Sequence, residues 1–127
     1  MQKEVVSTEL SPAAIGPYSQ AVKAGGMVYV SGCIGMDPVL KKIVPGGIGP
    51  ETRQVLQNLK NIVEAAGSNL SNVVKCTVLL ADMAYFPEVN GIYAEYFPEN
   101  PPARATFAVL GLPVGALVEI ECIAIAS

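Results

Sequence analysis

The chain has 127 residues, 51% of them hydrophobic, and a formal charge of -3 at neutral pH. That length fits a single domain over 1–127 with a substantial core, and it is short for two ordinary domains. The acidic balance, with Lys41 and Lys42 as the only adjacent cations, disfavours nucleic-acid binding, and the absence of histidine removes every His-dependent triad and most catalytic zinc sites.

The first elements are short. Val5-Val6-Ser7 and Tyr18 to Ala24 read as strands separated by Ser11-Pro12 and Gly16-Pro17. Gly25-Gly26 then makes a two-residue turn into a third strand, Met27 to Ser31. Pro38 to Pro50, with Pro45, Gly46, Gly47 and Gly49 inside it, is a connecting loop.

Glu51 to Ala66 is the clearest helix: Val55, Leu56, Leu59, Ile62, Val63 and Ala66 share one face, Pro50 suits the first turn and Gly67 can stop it. Val74 to Leu80 alternates as a strand. Phe86, Val89, Ile92, Tyr93 and Tyr96 then recur at helical spacing, with Pro98 just past the end. Ala103 to Val109 and Ala116 to Ala126 are two further apolar strands. The order β-β-β-α-β-α-β-β predicts an α+β fold, a mixed sheet with two helices on one face. The terminal strand is apolar on both alternating sets, so the uncovered face is expected to meet another subunit.

Cys33, Cys76 and Cys122 are odd in number and lack any CxxC spacing, which argues against a disulfide framework or a zinc cage and for a reducing, cytoplasmic setting. No apolar signal core opens the sequence, and no run of about eighteen apolar residues exists, so neither secretion nor a membrane span is expected. Neither the dinucleotide nor the P-loop glycine fingerprint is present.

Charged side chains are scarce, and two placements stand out. Arg104 follows Asn100-Pro101-Pro102-Ala103 at the start of an apolar strand, where its fork suits a small carboxylate or phosphate, with an interface salt bridge as the alternative. Glu119 and Glu121 share a face of the last strand about 7 Å apart. One of them can serve as a base in a sheltered cleft; lysine pairing at an exposed edge is the alternative. Tyr18, after Ile15-Gly16-Pro17, is either a phenol fixed at a sheet edge or a half-buried core residue. Ser31-Gly32-Cys33 ends a strand, where Gly32 admits a ligand or simply stops the strand, and Cys33 is either a nucleophile or an inert buried thiol.

Taken together, Ile15 to Ala21, Val30-Ser31-Gly32, Asn72 to Lys75, Val89 to Tyr93, Pro102 to Thr106 and Val118 to Glu121 resemble the RidA (YjgF/YER057c/UK114) family, in order, from about residue 4 to residue 126. The resemblance implies a chorismate-mutase-like fold and a homotrimer with three clefts between subunits. It also implies hydrolysis of reactive 2-imino acids, such as 2-iminobutanoate and 2-iminopropanoate released by pyridoxal-phosphate dehydratases, to 2-oxo acids and ammonia, without cofactor or metal. Carried onto this sequence, Arg104 matches the arginine that binds the substrate carboxylate and Glu119 the acid that handles the attacking water. Tyr18, Ser31, Gly32 and Asn90 match cleft residues, and Thr106 is positioned to offer its backbone and hydroxyl. The chain departs from the family pattern at Ala105-Thr106, where many members have Ser-Cys or Ala-Tyr, and at Cys33, where Gln is common. Two other implications stay open: a sensor that binds carboxylates without turnover, and the translation-inhibiting ribonuclease activity of some relatives, which the acidic, His-free composition disfavours.

Overall fold

The periodicities in the sequence become six strands and two helices in the computed structural model, which describes residues 2–127. Strands β1 (Glu4–Val6), β2 (Ala21–Ala24) and β3 (Met27–Ile34) precede helix α1 (Ile48–Ala65). Strand β4 (Val73–Leu80), helix α2 (Phe86–Tyr96), β5 (Ala103–Ala108) and β6 (Val118–Ile125) complete the expected order. All six strands form one sheet in the order β1-β2-β3-β6-β4-β5. Only β4 and β5 run parallel, joined through α2; the other neighbours are antiparallel. The last strand therefore lies at the centre, paired on both sides.

Local chemistry sets the boundaries. Gly25 and Gly26 both take positive φ (58° and 79°), as the two-residue turn of a right-twisted hairpin requires, and Ala24 pairs with Met27 across it. Helix α1 starts at Ile48, three residues before the expected Glu51, so Pro50 sits inside the first turn, where a missing N–H breaks no intrahelical bond. Its end is a Schellman motif: Gly67, at φ 83°, donates to the Glu64 carbonyl, and the Ser68 N–H reaches back to Val63. Strand β2 begins at Ala21 rather than at the expected Tyr18, because the Gln20 side chain ties residues 18–20 to the preceding loop. Its Oε1 accepts from the Thr8 N–H (2.7 Å), and its Nε2 donates to the carbonyls of Thr8, Ser11 and Pro12.

One face of the sheet is closed. Val28, Val30, Cys76, Val78, Leu80, Val118, Ile120 and Cys122 pack with Val55, Leu56, Leu59 and Val63 of α1 into a continuous core. The other face has no cover among the described residues. Tyr29, Phe107 and Ile125 remain 47%, 49% and 48% exposed, and Glu119 and Glu121 occupy the same side of β6.

Candidate active site

The residues singled out in the sequence assemble into two separate groups. The first forms where β3 leaves its partner. Val30 pairs with Cys122 and Cys33 with Ile120, so Ser31 and Gly32 together oppose Glu121, a β-bulge that bends the strand. The Ser31 N–H donates to the Gln20 carbonyl, and its hydroxyl donates to Ser19 O at 2.6 Å, fastening the bulge to the loop that carries Tyr18. Tyr18, Ser31, Gly32, Glu119 and Glu121 then line one open cleft together with Pro113.

Gly32 has a specific steric task here. A Cβ at that position would lie 2.7 Å from Cδ of Glu119 and 3.1 Å from its Cγ, so the carboxylate rests directly on the glycine backbone. Glu119 is half-buried and, among the described residues, makes no side-chain hydrogen bond or ion pair. Burial raises its pKa above the usual carboxylate value, and the charge of Glu121 adds to the rise. A carboxylate so placed is a better proton acceptor than a solvated one. Cys33 is turned into the core instead, its thiol pushed up to about 12 by burial and then by Glu119, so it stays protonated at neutral pH and is no nucleophile.

The second group gathers around β5 and α2. Arg104 pairs with Cys76 and lies on the helix-covered side. Its guanidinium carbon is 4.8 Å from the ring centre of Tyr93 and 5.6 Å from that of Phe86, within cation–π range. No carboxylate pairs with it: among the described residues the ion pair is Arg53–Glu95 on the helix surface. Thr106, two residues on and on the same strand face, keeps a buried hydroxyl without a hydrogen-bond partner among the described residues. Asn90 is exposed on the α2 turn between Phe86 and Tyr93.

The two groups cannot meet within one chain. Glu119 pairs with Leu79, and Leu79 alternates with the core-facing Val78 and Leu80. Arg104 pairs with Cys76, which is itself core-facing. The carboxylate and the guanidinium thus leave the sheet on opposite sides. The family resemblance assigns both to one substrate and does not reveal this division. Nor does it reveal the scaffold beneath Tyr18. Asn58 is fully buried on α1, donating to the carbonyls of Ile34 (3.0 Å) and Met36 (2.9 Å), while its own carbonyl accepts from Ser11 Oγ at 2.7 Å. The available signal was a polar residue within the apolar stripe, three after Val55 and four before Ile62.

Comparison with known proteins resolves the lineage. The family model described as Endoribonuclease L-PSP matches residues 8–126. The chain belongs to that family. A rat 2-iminobutanoate/2-iminopropanoate deaminase is 54% identical, covering 97% of this chain and 90% of the rat protein. The chloroplastic Reactive Intermediate Deaminase A of Arabidopsis thaliana is 52% identical over 98% of this chain, which spans 66% of the plant protein's length. Among solved structures, yeast Mmf1 superposes with a TM-score of 0.96 at 44% identity, covering 99% of this chain and 100% of Mmf1. The RidA resemblance and the α+β fold read from the sequence both stand, and the family's relatives are named as imine deaminases as well as endoribonucleases.

Proposed function

We propose that this protein is a 2-iminobutanoate/2-iminopropanoate deaminase, working over its whole length as one domain and as a homotrimer. In this reading each cleft joins the Glu119 group of one chain to the Arg104 group of its neighbour. The observation that carries it is the pair of unpartnered charges on opposite faces of one sheet. A half-buried carboxylate and a ring-stacked guanidinium without counter-ions both lack a complement that a second copy and a small anionic substrate supply. The uncovered Tyr29, Phe107 and Ile125 give that copy an apolar surface to bury.

The chemistry follows from the groups present. Arg104 holds the substrate carboxylate with two parallel hydrogen bonds and so fixes the C=N carbon, while Asn90 and Thr106 line the same wall. Tyr18, Ser31 and Gly32 line the opposite wall. Glu119 takes a proton from water as the water oxygen bonds to that carbon and the C=N π pair moves to nitrogen. The proton then passes from Glu119 to the amino nitrogen of the carbinolamine. Finally the hydroxyl proton returns to Glu119 as the carbonyl forms and the C–N bond breaks, and ammonia leaves as ammonium with that proton. No electrons are gained or lost. An iminium carbon is already electrophilic, so a base and a clamp suffice without a cofactor.

The endoribonuclease in the family description is not part of this reading, because an acidic chain without histidine offers neither a phosphate-tracking surface nor the usual proton relay. Cytoplasm is the compartment we assign from three free, buried cysteines; no helix among the described residues is long and apolar enough to cross a membrane. The deciding experiment generates 2-iminobutanoate in situ with a dehydratase and follows ammonia release with and without this protein. Acceleration is expected. No acceleration together with tight binding of 2-oxobutanoate would leave a carboxylate sensor in its place.

A further inference from the structure

Arg104 carries five N–H donors, and among the described residues none of them meets a protein acceptor; what holds the group is two aromatic rings. Phe86 and Tyr93 stand seven residues apart, two turns along one face of α2, so the guanidinium lies over two rings presented by a single element. The two rings differ in firmness. Phe86 is only half-buried, whereas Tyr93 is 5% exposed and packs against Phe97 with ring centres 4.7 Å apart.

The Tyr93 hydroxyl does not explain why a ring is held there. It is buried without a partner; the Cys76 thiol lies beside it and raises its pKa further above the value set by burial, yet no hydrogen bond of ordinary geometry forms. A thiol is in any case a weak partner for a phenol. What the side chain delivers to the site is the π-face at 4.8 Å.

We propose that Tyr93 is a positioning residue: its ring fixes the plane and direction of the Arg104 fork, so that a carboxylate is met bidentately rather than by a wandering charge. The inference rests on the reading of Arg104 as carboxylate anchor and adds the group that aims it. An arginine held by a π-face keeps all its donors free for a ligand, whereas one held by a carboxylate has already spent two. The site thereby keeps a cation oriented and unneutralised at the same time.

Fluorination at position 93 tests this without altering packing, because fluorine withdraws electron density from the ring face while nearly preserving its shape. The assembled protein is titrated calorimetrically with 2-oxobutanoate and with its uncharged amide, comparing wild type, Tyr93→Phe, Tyr93→Leu, and pentafluorophenylalanine in place of Tyr93. Tyr93→Phe is expected within about twofold of wild type for 2-oxobutanoate, while the fluorinated ring and Tyr93→Leu bind it about five- to twentyfold more weakly, the range a cation–π contact supports. Amide binding should be the same in all of them. Equal 2-oxobutanoate affinity for the Phe and pentafluorophenylalanine proteins overturns the proposal, whether or not the Leu variant folds. So does a loss in Tyr93→Phe as large as in the fluorinated protein, which would assign the effect to the hydroxyl. Arg104→Ala is the separate control: wild-type affinity in that variant removes the anchor reading itself, and this inference with it.

Discussion

The two halves of the candidate site are built by opposite means. Around Glu119 the scaffold is polar and satisfied: the Gln20 carboxamide makes four hydrogen bonds to the 8–12 loop, Asn58 ties α1 to the end of β3, and Ser31 fastens the bulge. Around Arg104 the scaffold is aromatic, and two buried hydroxyls, Thr106 and Tyr93, have no partner among the described residues. A base must be aimed at one atom and benefits from rigid surroundings. An anion anchor must keep its donors unspent until the ligand arrives, and ring faces can hold a guanidinium while leaving its N–H groups free.

The comparison breaks most completely if the halves are destroyed in different chains. Glu119→Gln keeps the shape and removes the base, so imine hydrolysis should fall about a hundredfold or more while 2-oxobutanoate binding persists. Arg104→Ala should lose binding and rate together, and Arg104→Lys should fall well short of wild type, because an ammonium cannot make the paired contact. Glu119→Gln and Arg104→Ala should each be nearly inactive alone, yet refolding these two as an equal mixture should return about a quarter of wild-type activity, the fraction of clefts in a random assembly of the proposed trimer that pair two intact halves. No recovery in mixed assemblies of verified composition would mean that both groups serve one chain, against their placement on opposite faces.

Next in size is the support under Glu119. Gly32→Ala puts a methyl where the carboxylate now rests, and because that carboxylate ends a flexible side chain the expected outcome is displacement rather than unfolding. Hydrolysis should drop about tenfold, only part of the hundredfold or more that losing the base altogether costs, with 2-oxobutanoate affinity little changed. An unchanged rate would show that the contact with Gly32 does not set the base's position. Gln20→Ala acts on the scaffold instead: it leaves the Thr8, Ser11 and Pro12 groups to find water, and should cost about 1–3 kcal/mol of unfolding free energy in urea. No equally destabilising polar deletion exists at the Arg104 half, where removing the unpartnered hydroxyl in Tyr93→Phe should leave stability equal or higher.

How much of this was legible beforehand follows the range of each interaction. Element order came from period-2 and period-3.6 patterns, which are local, and both glycine devices, the Gly25-Gly26 turn and the Gly67 stop, were visible because each acts on its own neighbours. Strand β2 starts three residues after the expected Tyr18 because Gln20 answers to carbonyls eight to twelve residues away, a demand that strand propensity does not register. The residues of the proposed site follow from the family resemblance. Their division between two faces was hidden because it depends on strand order: only with β6 inserted between β3 and β4, and β5 outside them, do Cys76 and Leu79 carry Arg104 and Glu119 in opposite directions. Tyr93 read as one more apolar position on α2, since nothing local distinguishes a core ring from one beneath a guanidinium.

The smallest expected effects concern the proton on Glu119. Its folded pKa is raised, by burial first and by Glu121 second, so the native state binds that proton more tightly than the unfolded chain does. The sign is the reverse of a salt-bridged carboxylate: stability falls as pH rises from the unfolded pKa through the folded one, and the penalty is complete above both. Glu119→Gln should therefore be more stable than wild type at pH 8, with the difference closing as pH drops below the raised pKa, even as the variant loses the reaction. The rate has the complementary dependence, declining on the acid side as the base protonates. Glu121→Gln removes the smaller cause, so the acid limb of hydrolysis should shift to lower pH while the rate on the plateau changes little. If Glu121→Gln leaves the limb in place and Glu119→Gln abolishes it, burial alone tunes the base; if the limb survives in Glu119→Gln, another group takes the proton and Glu119 is not the base.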